Sequence, residues 1–304
     1  MRDIEDLLRK TSRTFALTIP LLPEPTRREV GIAYLLFRVI DTFEDAPLWA
    51  PLRRVEALQR FIDLLDAPPQ AAAALAAECA TDPPVAHDGY LELLASMPAV
   101  LKQFGALQAP ARSSIRRHVT RSAEGMAKFV LRTDEKGQLT LETLQDLRDY
   151  CYVVAGIVGT MLTELYLLGR LELVKIARDL QSRAARFGEG LQLVNILKDA
   201  RHDADEGRRY LPRGVDPAEV IALAAEDLEI AAEYVELLRR SGTDAGVVAF
   251  NSLISKLARA NVRLFAERGL GAKLSRIEVA RIQAEVAQEI RGPAWSASAG
   301  ATSP

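Results

Sequence analysis

Apolar residues recur three and four positions apart through nearly the whole chain, and no stretch shows the period of two that marks a strand. Segment 23–46, PEPTRREVGIAYLLFRVIDTFEDA, opens on prolines and carries its apolar residues at helical spacing. Segment 51–67, PLRRVEALQRFIDLLDA, predicts a second amphipathic helix. Residues 66–90 hold two Pro-Pro pairs around an alanine-rich turn and predict a short helix between loops. Long helices are predicted at roughly 90–105, 109–132, 140–168, 172–205, 216–240, 244–268 and 274–290. The ending GPAWSASAGATSP is small and polar, the composition of a disordered tail. The pattern predicts one all-α domain over residues 1–291 and a disordered tail over 292–304.

Composition narrows the function classes. With 304 residues, 49% of them hydrophobic, the chain can bury a large core. A net charge of -2 gives no basis for bulk binding to nucleic acid. Two cysteines without a CxxC pair point to a reducing compartment and no disulfide framework, hence a cytoplasmic protein. The start MRDIEDLLRK lacks the apolar core of a signal peptide. The apolar run VVAGIVGTML falls short of the about 20 residues a bilayer requires, so no transmembrane segment is expected.

Two helices end in unexpected charge. At about 100° per residue, Tyr34, Arg38, Asp41 and Asp45 share one stripe about 60° wide, with Glu44 on its flank. Aspartates four apart repel, and acid at a helix C-terminus opposes the dipole, so the placement costs stability. The segment LQLVNILKDARHDADEGRRYLP, residues 191–212, repeats the pattern, with Gln192, Asn195, Asp199 and Asp203 on one side and an apolar LVIL set on the other. Facing helices of this kind could hold hard cations. Mg²⁺ takes oxygen ligands, one or two of them carboxylates, and completes its shell with water and phosphate. Neighbouring arginines, Arg201, Arg208, Arg209 and Arg213, fit a phosphate-bearing ligand. Zinc is disfavoured, because His87, His118 and His202 have no ligand spacing and the cysteines are unpaired.

The stretch YCYVVAGIVGTMLTELYLLG, residues 150–169, predicts an apolar wall with Tyr150, Val154, Ile157 and Met161 on one stripe. Gly156 and Gly159 weaken a helix unless another helix or a ligand chain comes very close. GLGAKLS, residues 269–275, lacks phosphate-loop spacing and reads as a helix connection.

Taken together, TSRTFA (11–16), YLLFRVIDTFED (34–45), EGMAKF (124–129), YCYVVAGIVG (150–159) and the 191–212 segment resemble the squalene/phytoene synthase family of head-to-head trans-prenyltransferases. The resemblance covers about residues 8–290. It implies an isoprenoid-synthase-type helical bundle around a central apolar cavity, with two aspartate-rich motifs facing each other over Mg²⁺ and prenyl diphosphates. By position, Asp41, Glu44, Asp45, Asn195, Asp199 and Asp203 would serve the metal. Ser12, Arg13, Tyr34, Arg38, Gln192, Asn195 and Arg208 would contact diphosphate or hold the metal ligands. Tyr150 would handle the proton lost in cyclopropane formation, with the departed diphosphate as the alternative base. His202 departs from the family, which often has Glu there.

Within the family, DTFED and TSRTF are more similar to the squalene synthases than to relatives with a DDIAD-like motif. That resemblance implies condensation of two farnesyl diphosphates to presqualene diphosphate and NADPH-dependent reduction to squalene. Lys198 and Lys273 would hold the cofactor, although Ser275 stands where a second basic residue is expected. The alternatives are a non-reductive relative making phytoene, dehydrosqualene or presqualene diphosphate, a chain-elongating or cyclising terpenoid enzyme, and a non-catalytic helical scaffold. Partners would be prenyl diphosphates, with peripheral membrane contact for product release.

Overall fold

The computed structural model describes residues 4–12, 14–134, 137–205 and 210–290, and it describes residues 201–205 by backbone only. It divides into two compact units. The first comprises residues up to Ile19 together with Glu24–Leu139, and the second Pro20–Pro23 together with residues from Thr140 onward. Both are helical, as the periodicity predicts. Among the described residues no strand forms beyond a single-residue bridge at Thr140.

In the first unit the order is α1 (Ile4–Thr11), α2 (Phe15–Thr18), α3 (Thr26–Asp45), α4 (Pro51–Leu64), α5 (Ala72–Thr81), α6 (Asp88–Ala95), α7 (Met97–Gly105) and α8 (Ala109–Val130). Helix α3 is its axis. Val30, Ile32, Leu35, Leu36, Val39, Ile40 and Phe43 are all buried, covering too much of the helix for a one-faced surface element. It packs on α4 and α8. Helix α8 contributes Ile115, Val119, Ala123 and Met126, spaced four, four and three residues apart. Phe43 stacks on Trp49 at 5.8 Å and meets Phe61 of α4 edge-on at 6.3 Å. The helix expected over 90–105 is two helices, α6 and α7, broken at Ser96. Pro98, in the first turn of α7, has no N–H to continue the α6 ladder.

In the second unit α9 (Leu144–Cys151), a π-helical turn (Tyr152–Gly156) and α10 (Ile157–Leu167) form one continuous rod. A 3₁₀ turn, Leu171–Ile176, leads into α11 (Ala177–Asp205), followed by α12 (Pro217–Arg240), α13 (Ala245–Arg268) and α14 (Arg276–Glu289). Helix starts follow the sequence. Thr143 accepts from Asp146 N–H, and Asp216 with Glu219 forms a capping box. Ser275 also has a structural duty. Its hydroxyl accepts from Glu278 N–H at 3.2 Å while Glu278 Oε2 accepts from Ser275 N–H at 2.7 Å, which starts α14.

The rod Leu144–Leu167 is 24 residues long and holds an 18-residue window with a mean hydropathy of 1.4, long and apolar enough to cross a membrane by length and composition. The apolar run quoted from the sequence is only part of it. Here the rod is packed closely against α11. A Cβ on Gly159 would lie 2.1 Å from Ala184 O, and one on Gly188 2.2 Å from Ala155 O. Of the two causes the sequence left open for Gly156 and Gly159, a close helix is the one found. Tyr150, Ile157 and Met161 are buried and Val154 is half-buried, because the π turn interrupts the 100° progression between them.

Candidate active site

Each unit carries one acidic helix end. In the first, α3 places Tyr34, Arg38 and Asp41 in contact along one face, as the spacing predicts. Arg38 Nε and Nη2 donate to Tyr34 Oη at 3.3 and 3.2 Å, and Arg38 Nη1 lies 3.5 Å from Asp41 Oδ2. Tyr34 Oη donates to Thr11 O at 2.9 Å, tying the stripe to the end of α1. Ser12 Oγ accepts from Phe15 N–H at 2.9 Å, and the Phe15 ring lies 5.2 Å from Tyr34. Ser12 therefore shapes the turn that seats Tyr34. Arg13 lies outside the described residues.

The carboxylates crowd each other. Burial lifts Asp41 to about 6, with Asp45 adding to the rise and Arg38 opposing it. Burial, then Asp45, pushes Glu44 well above the ordinary carboxylate range against the pull of Arg54. Glu44 is only 5% exposed, and Arg54 Nη2 donates to its backbone carbonyl. The flanking acid thus points into protein, whereas Asp41 keeps 29% of its side chain open.

Sequence reading missed the neighbours of Arg38. The guanidinium lies 5.5 Å from the Tyr34 ring centroid and also 5.5 Å from that of Tyr90 on α6. His87 stacks on Tyr90 at 4.2 Å. The only signal was an aromatic pair, three residues apart, at the end of a segment read as loop.

In the second unit α11 buries Leu193, Val194, Ile196 and Leu197 and leaves Gln192, Asn195 and Asp199 at least partly open, the two sides the sequence predicts. Lys198 Nζ donates to Asn195 Oδ1 at 2.8 Å and lies 3.5 Å from Asp199 Oδ2. Lys273 Nζ lies 3.1 Å from Asp199 Oδ1. It arrives on the GLGAKLS connection, where Gly269 and Gly271 take φ of 81° and 82° and Gly271 N–H donates to Leu197 O at 3.1 Å. Both lysines expected at a nicotinamide cofactor therefore sit on the second-motif aspartate. Asp203 is on the last turn of α11, with its side chain and that of His202 outside the description, and Arg208 lies outside the described residues. Tyr150 is 3% exposed and stacks on Tyr210 with centroids 5.1 Å apart.

A second charged cluster joins α9, α11 and α12. Arg148 lies 3.5 Å from Glu189, and Arg186 pairs with Glu226 at 2.9 Å and with the fully buried Asp227. Burial raises both Glu189 and Asp227.

Among the described residues, no three His, Cys, Asp or Glu side chains converge to hold a metal unaided. Mg²⁺ does not require that, since water and phosphate complete its shell. Paired carboxylates beside an arginine donor can bind a hydrated divalent cation and an anionic phosphate together.

Residues 8–277 match the family model described as squalene/phytoene synthase. The squalene synthase of Schizosaccharomyces pombe is 30% identical over 216 residues, 71% of this chain and 45% of that protein. The squalene synthase of Eremothecium gossypii is 29% identical over 249 residues, 82% of this chain and 52% of that protein. The chain thus matches about half the length of these relatives. The solved complex of TcSQS with the ligand E5700 is similar with a TM-score of 0.75 at 26% identity, covering 97% of this chain and 87% of that one. A dehydrosqualene synthase in complex with ligand shares the fold with a TM-score of 0.58 at 20% identity, covering 95% of each chain. This all-helical chain, with an acid-ended helix in each unit, belongs to the squalene/phytoene synthase family.

Proposed function

We propose that this chain is a Mg²⁺-dependent farnesyl-diphosphate farnesyltransferase that joins two farnesyl diphosphates head to head into presqualene diphosphate. The observation that carries the reading is the face shared by Tyr34, Arg38 and Asp41, donors and carboxylate in contact on a buried helix. Burial and the neighbouring Asp45 raise Asp41 and Glu44 despite Arg38 and Arg54, and a divalent cation would relieve that crowding. When bound, Mg²⁺ neutralises diphosphate oxygens.

The protein's own groups do the rest. Arg38 offers N–H donors to a diphosphate, and Tyr34 holds their direction. Asn195 and Gln192 present amides beside Asp199. Once one diphosphate has left, the allylic cation is attacked by the double bond of the second substrate, and a proton is lost as the cyclopropane closes. Tyr150 in its phenolate form is the candidate acceptor for that proton, with the departed diphosphate as the alternative base. The apolar residues of the α9–α10 rod keep water from the cation, which would otherwise become an alcohol.

Reduction to squalene is the step that the similarity to squalene synthases adds. Lys198 and Lys273 do not fit it as they stand, since both pair with Asp199 rather than offering a separate phosphate site. That pairing favours a second reading, a non-reductive relative whose product is independent of NADPH. Incubation with farnesyl diphosphate and Mg²⁺, with and without NADPH, followed by mass analysis, tests both. Presqualene diphosphate without NADPH is expected; absence of any C30 product under all conditions overturns the proposal. Squalene formed only with NADPH supports the reductive reading, and an unchanged product supports the second.

A further inference from the structure

Arg38 is enclosed from a direction that the α3 stripe does not account for. Its guanidinium carbon lies 5.5 Å from the ring centroid of Tyr34, whose hydroxyl takes the Nε–Nη2 edge, and 5.5 Å from the ring centroid of Tyr90. Phe15 lies 5.2 Å from Tyr34, and His87 stacks on Tyr90 at 4.2 Å with 27° between the rings. Arg38 and four rings, from α2, α3, α6 and the residue that precedes α6, thus form one five-member array. Helix α6 is fixed against α1 at the height this requires. Lys10 Nζ donates to both oxygens of Glu92, at 3.0 and 2.9 Å. A Cβ on Gly89 would lie 2.6 Å from Lys10 O, so glycine there lets the two helices approach. Tyr90 is the next residue along.

We propose that Tyr90 is a positioning residue: with Tyr34 it clamps the Arg38 guanidinium so that its remaining N–H edge faces a diphosphate group. The proposal rests on the reading of Arg38 as a diphosphate ligand. A guanidinium has five N–H bonds in one plane. Here Nε and one Nη2 bond go to Tyr34 Oη, and Nη1 turns toward Asp41. The Tyr34 hydroxyl at one edge and the Tyr90 ring beside the guanidinium disfavour other rotamers of a long side chain and leave the remaining edge for a forked anion. Tyr34 alone fixes one end of that plane; Tyr90 stops it swinging away.

The test is calorimetric titration of the full chain with inorganic pyrophosphate in Mg²⁺ buffer, for wild type, Arg38→Ala, Tyr90→Leu and Tyr90→Phe. Loss of one aromatic face is expected to weaken pyrophosphate binding by about tenfold in Tyr90→Leu, while Tyr90→Phe, which keeps the ring, recovers the affinity. A merely structural role predicts that Leu, with similar bulk, does as well as Phe. Steady-state assays with farnesyl diphosphate should show Tyr90→Leu raising KM more than it lowers kcat. If Arg38→Ala binds weakly and Tyr90→Leu binds like wild type, the clamp is wrong and the reading of Arg38 stands. If Arg38→Ala binds like wild type, the reading of Arg38 fails and the role of Tyr90 falls with it. Should Tyr90→Leu not fold, Nε–H exchange of Arg38 in wild type and His87→Ala reads the same array. Faster exchange in His87→Ala supports the clamp, and unchanged, unprotected exchange in both overturns it.

Discussion

Lys273 Nζ lies 3.1 Å from Asp199 Oδ1, so the carboxylate at the heart of the second acidic motif is paired with an ammonium delivered by a connecting loop. A divalent cation and this lysine would compete for the same oxygen. The pair is exposed, 61% and 35%, and such pairs contribute about 0–1 kcal/mol. Lys273→Ala should therefore lower the Mg²⁺ concentration for half-maximal activity, by at most about fivefold. A Mg²⁺ titration of turnover checks this. If the variant instead raises KM for NADPH with the Mg²⁺ dependence unchanged, Lys273 belongs to a cofactor site after all.

If these carboxylates bind Mg²⁺ as proposed, Asp41→Asn and Asp199→Asn should each reduce turnover at least about a hundredfold, because each would delete a charged oxygen ligand while leaving the side-chain shape. Stability should hold or rise, because the Asp41 carboxylate is penalised by burial and by Asp45. Circular dichroism and thermal melts alongside turnover separate the two effects. Near-normal turnover at low Mg²⁺ in either variant removes the metal reading of that motif.

The features written in consecutive turns of helix were legible from sequence. The Tyr34–Arg38–Asp41 face needs only the helical period, and the structure brings those three into contact. The two-sided α11 was equally readable, since its apolar and polar residues separate at 100° intervals. Partners from distant segments were not. Tyr90 reaches Arg38 only because Gly89 admits α1, and Lys273 reaches Asp199 only because a glycine loop folds back on α11. Periodicity also assumes a uniform helix. It ran through Ser96, although Pro98 marks that break, and through the π turn at Tyr152–Gly156, where backbone bonding changes without a strong residue signal.

The pH dependence of stability has a definite sign. Asp41 has its folded-state pKa raised to about 6 from an ordinary 3.8, so the folded protein holds this proton more tightly than the unfolded chain. Its stabilising contribution is present below about pH 4 and is lost as pH rises through about 6. The full shift corresponds to an upper limit of about 3 kcal/mol. Glu44 shifts in the same direction. Urea unfolding of metal-free wild type and Asp41→Asn at pH 5 and 7.5 should show a pH-dependent gap between them, with the asparagine variant gaining at the higher pH. Added Mg²⁺ should raise the wild-type melting temperature more at pH 7.5 than at pH 5. A gap that does not change with pH contradicts the burial of Asp41.

Gly159→Ala and Gly188→Ala test the contact between the rod and α11. Each new methyl would sit 2.1–2.2 Å from a backbone carbonyl oxygen, which cannot rotate away as a side chain can. Overpacking of this kind costs about 3 kcal/mol, against the slight gain alanine brings to an unstrained helix. Chemical denaturation should show a large loss for both. Gly105→Ala, with nothing within 4 Å of its added Cβ, is the control and should lose far less. Equal behaviour of all three would mean that the helices separate more easily than their spacing implies.

Tyr150→Phe asks whether a buried hydroxyl takes part in proton loss. The ring is 3% exposed and stacks on Tyr210, so phenylalanine preserves its packing and the 5.1 Å aromatic contact. Removing only oxygen separates chemistry from scaffolding. A group that accepts a proton in the transition state contributes about 10²-fold or more to rate. The expected outcome is a fall in kcat of about that size for the cyclopropane-forming step, with KM for farnesyl diphosphate unchanged, the signature of an interaction made only in the transition state. Single-turnover assays that quantify presqualene diphosphate give the rate of that step. If KM rises and the step keeps its rate, Tyr150 is a wall residue beside Tyr210 and the departing diphosphate takes the proton.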